Sequence, residues 1–270
     1  MKICFVGGGN MARAILGGLI ARGTQPRDVV VIEVDPASRL KLQGDFGVRA
    51  IDAPSTEVAS AEAVILAVKP QQMREAAMLF SGDAGDPVYL SIAAGVRLDS
   101  LARWLGSSRV VRAMPNTPAL VHAGVTGLYA PPEVDDDDRK VAEGLMAAVG
   151  ATLWFPQEGD LDAVTAVSGS GPAYVFYAME ALEEAGRRLG LSESSSRSLA
   201  LWTFVGAAKL AIERQEDPRT LRAQVTSKGG TTERALEVLE AAGVKGLFID
   251  AVRAACERSR ELGAAMGKEK

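Results

Sequence analysis

Histidine is almost missing from this sequence of 270 residues, where His122 stands alone. One histidine cannot build a histidine-based metal cluster, and neither CxxC nor HExxH occurs, so no metal site is expected. His122 has no acid or nucleophile beside it in sequence and reads as structural. Cysteine is nearly as scarce: Cys4, inside the first apolar run, and Cys256. Such a pair points to a reducing compartment rather than a disulfide framework. There is no uninterrupted apolar run of about 18 residues, so no membrane span is expected. The opening MKICFVGGG breaks to glycine too early for a signal peptide, and the protein is expected in the cytoplasm. An excess of positive charge is also lacking. The formal net charge is −4, with lysine and arginine scattered, which gives no electrostatic support for nucleic acid or an anionic membrane as partner.

What is present fits an ordinary globular protein of one large or two modest domains, 47% hydrophobic and 24% charged. The first half alternates. Short β-branched runs at 3–6, 29–33, 63–68, 88–93 and 109–114 predict strands buried on both faces. Helical spacing at 11–22, 36–46, 71–80 and 97–105 lies between them. That alternation predicts a parallel sheet with crossover helices. Runs at 126–130 and 151–155 flank a helix at 136–149 and extend the sheet. The acidic run Asp135 to Asp138 marks a solvated turn and helix start, where negative charge suits the helix dipole. After Phe155 the β signal fades, and helical spacing covers 158–167, 171–190, 192–213, 218–224, 231–242 and 245–266. The segment AYVFYAMEALEEAGRRLGL is too apolar for a helix with one face in water; it demands a core position or a subunit interface. The reading is thus a Rossmann-type parallel-sheet domain over 1–157 and an all-helical domain over 158–270.

Several strand ends carry candidate chemistry. GGGNMA at 7–12 lies between the first strand and first helix and fits GxGxxG/A through Gly7, Gly9 and Ala12. Gly7 allows the tight turn, Gly9 lets a pyrophosphate approach the backbone, and small Ala12 lets the helix pack on the sheet. Glu33 and Asp35 both lie where an acid holds the adenosine ribose and repels a 2′-phosphate, while Arg39 or Lys41 could pair with that phosphate. AVKP (Ala67, Val68, Lys69 and Pro70), SIAAGV at 91–96 and RAMPNTPA at 112–119 end three more strands, where an open parallel sheet binds ligands. In the last of these, two prolines hold Asn116 and Thr117 extended: a rigid turn, or a wall for a nicotinamide. SGSGPAYVF at 168–176 opens the long apolar helix, with Ser170 as its cap and Pro172 in its first turn.

One stretch interrupts the helical half. In VTSKGGTTERAL at 225–236, Thr231 or Thr232 is a plausible cap for the helix that follows. Gly229 and Gly230 permit positive φ and expose backbone amides, and the flanking hydroxyls complete a nest suited to a carboxylate.

FVGGGNMARAILGGL, AVKPQ, SIAAGV, RAMPNTPALVHAG, VTAVSGSGPAYVF and VTSKGGTTERALEVLE, in this order, resemble the pyrroline-5-carboxylate reductase family over nearly the whole chain. The resemblance implies a Rossmann domain followed by a helical domain that interlocks with a second subunit as a homodimer; some members assemble further into decamers, pentamers of dimers. It implies hydride transfer from NADPH or NADH to the C=N carbon of 1-pyrroline-5-carboxylate, giving L-proline in the last step of proline biosynthesis. Carried over, Ser227, Gly229, Gly230 and Thr231 hold the substrate carboxylate and Thr232 orients the imine as the catalytic residue. Gly7, Gly9, Asn10, Met11 and Ala12 hold the pyrophosphate, with Glu33 or Asp35 at the ribose. Ala67, Val68, Lys69, Pro70 and Asn116 stand beside the cofactor. The chain departs from the family where SPGG is usual and Lys228 gives SKGG, which removes a proline's restraint on the loop.

Overall fold

The computed structural model describes residues 1–55, 58–80 and 87–266. The chain falls into two compact units: Met1–Ser170 together with the stretch from Ala255 on, and Gly171–Ala254. By contacts, residues 158–170 and the end of the last helix pack with the sheet.

The first unit holds eight strands: β1 (Ile3–Val6), β2 (Val29–Ile32), β3 (Arg49–Ile51), β4 (Ala63–Leu66), β5 (Val88–Ser91), β6 (Val110–Met114), β7 (Gly124–Tyr129) and β8 (Gly150–Trp154). They form one sheet in the order β3-β2-β1-β4-β5-β6-β7-β8. Its helices are α1 (Asn10–Ala21), α2 (Pro36–Phe46), α3 (Met73–Met78), α4 (Leu98–Leu105), α5 (Asp136–Ala147) and α6 (Asp160–Val164). The first six strands are parallel and doubly wound, with the strand order reversing between β1 and β4. That reversal opens the crevice in which such sheets bind nucleotides.

Alternation along the strands serves two cores. Ile3, Phe5, Val29, Val31, Ile65 and Leu90 face α1, α2 and α5. Cys4, Val6, Val30, Ile32, Leu66 and Tyr89 face α3 and α4. Both faces are covered, so the central strands read as unbroken apolar runs. Burial pushes the Cys4 thiol up to about 12. Gly18 lets α1 pass close beneath the end of α5, since a Cβ there would lie 2.4 Å from the Ala148 carbonyl oxygen.

Two elements differ from expectation. β3 is an unpredicted edge strand whose three residues include one that is buried, too little apolar sequence to signal a strand. β7 runs antiparallel to β6. The connection at 115–123 holds only a single 3-10 turn, at 117–121, and a parallel crossover needs about a dozen residues or more. His122 ends that turn exposed, at φ 56, in the left-handed region.

Four charges close the lower part of this unit. Arg112, 5% exposed on β6, pairs with Glu158 at 2.6 Å. The same carboxylate accepts the Leu98 amide that starts α4, at 2.7 Å. Arg97 pairs with Asp162 on α6 at 2.8 Å. Asp162 also accepts the Ser259 hydroxyl at 2.7 Å, anchoring the final turns of the last helix. Burial pushes the Arg112 guanidinium below the ordinary arginine value, and Glu158 offsets that. At the other end of β6, Arg109 grips Asp138 through two bonds of 2.7 Å, while Asp135 caps α5. The acidic run is thus a cap and an ion-pair partner.

The second unit comprises α7 (Gly171–Arg188), α8 (Glu193–Arg214), α9 (Pro218–Gln224), α10 (Thr231–Ala241) and the start of α11 (Val244–Met266). Ser170 does not cap α7. A π turn at 165–169 runs into the helix, and the Ser170 amide donates to the Thr165 carbonyl at 2.8 Å. α7 and α8 pack against each other across a short turn. No residue of α7, α9 or α10 is buried, and α8 buries only Ser196 and Ala200. Phe176, Tyr177 and Trp202 are 61%, 73% and 68% exposed. Helices the sequence marks for burial on several sides are left bare by their own chain. Among the described residues no helix is long and apolar enough to cross a membrane.

The Arg112–Glu158 pair gives a test. Removing one partner of a buried ion pair strands the other charge, so Glu158→Ala is expected to cost about 3 kcal/mol or more in denaturant unfolding of the sheet unit. Arg112→Met with Glu158→Leu, which strands none, is expected to cost less than Glu158→Ala alone.

Candidate active site

The beginnings of the helices divide into two kinds. α2, α5, α8 and α9 begin on Asp35, Asp135, Ser192 and Asp217, whose side chains accept amides of the first turn. α4 receives the remote Glu158 carboxylate. α1, α6 and α10 begin on glycines, Gly9, Gly159 and Gly230, and no side chain caps any of them; at α6 the Asp160 and Leu161 amides donate instead to the Gln157 and Glu158 carbonyls. The first amides of a helix have no partner within it, and the dipole adds partial positive charge there. At α1 and α10 the first amides have no partner among the described residues.

At α1 the turn is shaped by close backbone packing. Gly7 adopts φ +96, and a Cβ on it would lie 2.8 Å from the Ala67 carbonyl oxygen. β1 and β4 can approach at their ends only with glycine there. Around Gly9 there is nothing within 4 Å of an added Cβ, so the backbone is open to a ligand. Asn10 and Met11 follow in the first turn, and Ala12, 2% exposed, seats the helix on the sheet. The cleft over this turn is about 510 Å³, within the usual ~300–1,000 Å³ of small-molecule and cofactor sites. Gly7, Gly9, Glu33, Ala67, Val68 and Lys69 all line it. Pro70 opens the short 3-10 turn beyond it.

The two acids after β2 have separate uses. Glu33 lines the cleft and accepts the Gly8 amide at 2.8 Å and the Asp35 amide at 2.9 Å. Asp35 is taken up as the cap of α2, accepting the Ser38 amide and hydroxyl at 2.8 and 2.7 Å. The Ser38 hydroxyl, and then its amide, hold the Asp35 carboxyl below the usual carboxylate range. Of the two, Glu33 is the acid placed at the crevice. The Arg39 guanidinium donates to the Glu33 and Val34 carbonyls at 2.8 and 2.9 Å, which holds a cation at the same strand end.

Asn116 sits at the end of β6 with its amide turned inward. Its Oδ1 accepts the Val125 amide at 2.9 Å and its Nδ2 donates to the Ser168 carbonyl at 3.2 Å. The side chain thereby ties β6 to β7 and to the π turn, which favours the rigid-turn reading over direct contact through the amide. Next to it, a Cβ on Gly169 would fall 2.8 Å from the Met114 Cε, so the doubled glycines of SGSG serve close packing.

In the second unit the loop before α10 takes a form the sequence reading missed. Gly230, not a threonine, is the N-cap; Thr231 and Thr232 are the first two residues of the helix. The glycine amides are already taken. Gly229 donates to the Glu233 carboxylate at 2.6 Å and Gly230 to the Ser227 carbonyl at 3.0 Å. The Thr231 and Thr232 amides, with their hydroxyls alongside, have no partner among the described residues, and neither do the amides of Ser227, Lys228 and Glu233. The Ser227 hydroxyl lies over Gly230, 2.5 Å from where a Cβ would be. A TT dipeptide after GG signals a helix start; which of the four residues caps it depends on φ and ψ, which the sequence does not report.

Residues 158–262 match a family model described as pyrroline-5-carboxylate reductase dimerisation. Residues 2–95 match one described as NADP oxidoreductase, coenzyme F420-dependent. Pyrroline-5-carboxylate reductase of Pseudomonas aeruginosa is 42% identical over 269 residues, 99% of this chain and 98% of its own length. That of Synechocystis is 42% identical over 97% of this chain and 98% of its own. The solved structure of the Coxiella burnetii reductase superposes with a TM-score of 0.91 at 41% identity, covering 97% of this chain and 98% of that one. A Plasmodium falciparum pyrroline carboxylate reductase, solved with NADP bound, superposes at 0.84 with 27% identity over 97% and 98%. With identity of this order along its whole length, the chain belongs to the pyrroline-5-carboxylate reductase family.

Proposed function

We propose that this chain reduces the C=N bond of 1-pyrroline-5-carboxylate to L-proline with a hydride from NADH or NADPH. The observation that supports the site assignment is the pair of helix starts, at α1 and α10, that sit on a glycine and keep their first amides open, one in each unit. The Gly7–Ala12 turn and the α1 amides hold the cofactor pyrophosphate. Glu33 stands at the ribose, and Ala67, Val68 and Lys69 line the cleft. The Thr231 and Thr232 amides and hydroxyls, with Ser227, hold the substrate carboxylate. Gly229 and Gly230 shape the turn rather than donate. The helices from residue 158 on serve substrate binding and dimerisation, and their bare apolar surface supports assembly as a homodimer, which can build further into a decamer.

A reduced nicotinamide bound in the cleft supplies the hydride. The chain's own task is positioning, because a protonated cyclic imine is already electrophilic. The Thr232 hydroxyl orients the ring nitrogen, and the helix-start amides fix the carboxylate borne by the ring carbon next to that nitrogen. No general acid of matched pKa is required, in keeping with a single, exposed histidine.

Four measurements follow. NAD(P)H oxidation in the presence of 1-pyrroline-5-carboxylate is expected from the purified protein. Thr232→Ala is expected to lower turnover about tenfold or more while leaving cofactor affinity within about twofold; wild-type turnover in that variant removes Thr232 from the site. Cofactor choice rests on Glu33, which disfavours a 2′-phosphate, against Arg39, which favours one. Glu33→Ser is expected to move the NADPH-to-NADH ratio of kcat/KM upward by about tenfold, equivalent to ~1.4 kcal/mol. In sedimentation the protein is expected to run as a dimer or a multiple of it, and a stable monomer at micromolar concentration contradicts the interface reading.

A further inference from the structure

The loop that the proposed function assigns to the substrate carboxylate is held by few bonds. From Val225 to Gly230 it contains no proline, and Lys228 leaves its own φ free. Thr226 Oγ1 ties its start to the Arg222 carbonyl of α9 at 2.6 Å. The Gly230 amide closes a turn on Ser227 at 3.0 Å. A third bond, from the Gly229 amide to Glu233 Oε2 at 2.6 Å, fastens the tip of the loop to the body of α10, next to the helical bond from the Arg234 amide to the Gly230 carbonyl at 3.2 Å. Gly229 sits at φ +73 with no atom within 4 Å of a Cβ position, so packing does not hold it there. A glycine in that state samples many others when released.

We propose that Glu233 is a positioning residue for substrate binding: its carboxylate pins the Gly229 amide and so keeps the Thr231 and Thr232 amides pre-arranged for the substrate's carboxylate. The inference rests on the reading of residues 227–232 as the carboxylate site. A glutamate at the third helical position reaching back over the cap resembles a capping box, except that here the glycine at the cap has no side chain to answer it. Preorganisation of this sort lowers the ordering cost of binding and acts on affinity rather than on the chemical step. The carboxylate has a second, opposing effect. Its negative charge stands in the first turn of the helix that must receive an anion, and like charges at this range repel.

Two substitutions separate the bond from the charge. Glu233→Ala removes both, and with the loop unpinned KM for 1-pyrroline-5-carboxylate is expected to rise about tenfold, with kcat within about twofold of wild type. Glu233→Gln keeps an acceptor for the Gly229 amide and drops the charge, so KM is expected to fall about threefold below wild type. Hydrogen exchange reads the pin without any substrate. Amides of residues 226–232 are expected to exchange about tenfold faster in Glu233→Ala than in wild type, and slowly in Glu233→Gln. The proposal is overturned if Glu233→Ala leaves KM or exchange unchanged, or if Glu233→Gln raises KM as far as alanine does. A wild-type protein that oxidises no NAD(P)H with this substrate overturns the proposed function instead, while the exchange comparison still decides whether Glu233 is the pin.

Discussion

A helix leaves its first amides without carbonyl partners, and this fold answers that need in two different ways. At five helices an aspartate, a serine or a remote glutamate fills the gap: Asp35, Asp135, Ser192, Asp217 and, for α4, Glu158, while at α6 the preceding turn supplies the carbonyls. At α1 and α10 a glycine stands in the capping position and nothing fills it. On the proposed function, a pyrophosphate and a carboxylate complete the secondary structure at these two starts. Binding and helix termination are one interaction, which is why both ligand loops are glycine-rich and why neither requires a charged side chain.

The two units differ in how they are stabilised. The sheet unit covers both faces of its strands and closes its lower edge with paired charges, Arg112 with Glu158 and Arg97 with Asp162. It has a complete interior. The helical unit buries almost none of its apolar residues within one chain. Hydrophobic surface of that extent is not left in water by a stable protein, and the matching dimerisation model over 158–262 supplies the reason. On the proposed function, cofactor binding is organised inside a unit that has its own core, whereas the substrate loop belongs to one whose apolar faces require a partner.

How far the site was legible depends on the residue. The Gly7–Ala12 turn, the strand ends at Ala67 and Asn116 and the loop at 227–232 are marked by glycine, proline and hydroxyl residues whose backbone requirements are local. Choosing Glu33 over Asp35 was not possible from spacing, because both follow β2 and either side chain reaches the strand end. Asp35 is removed by its bond to Ser38, a local cap that competes with any ligand. Likewise Gly229 and Gly230 look like amide donors in sequence, and their amides prove to be occupied by Glu233 and Ser227.

The sequence by itself determined the alternating sheet half, the helical half, the glycine turn between β1 and α1, and the demand of the apolar helix for cover. Each of these follows from side-chain periodicity or from the φ that glycine and proline allow, properties of neighbouring residues. Tertiary structure alone decided the antiparallel turn of β7, the edge strand β3, the inward-facing Asn116 amide and which amides of the 227–232 loop remain open. Those depend on partners far along the chain or on the dihedral angles of a single residue, and neither distance nor dihedral is written in a run of letters.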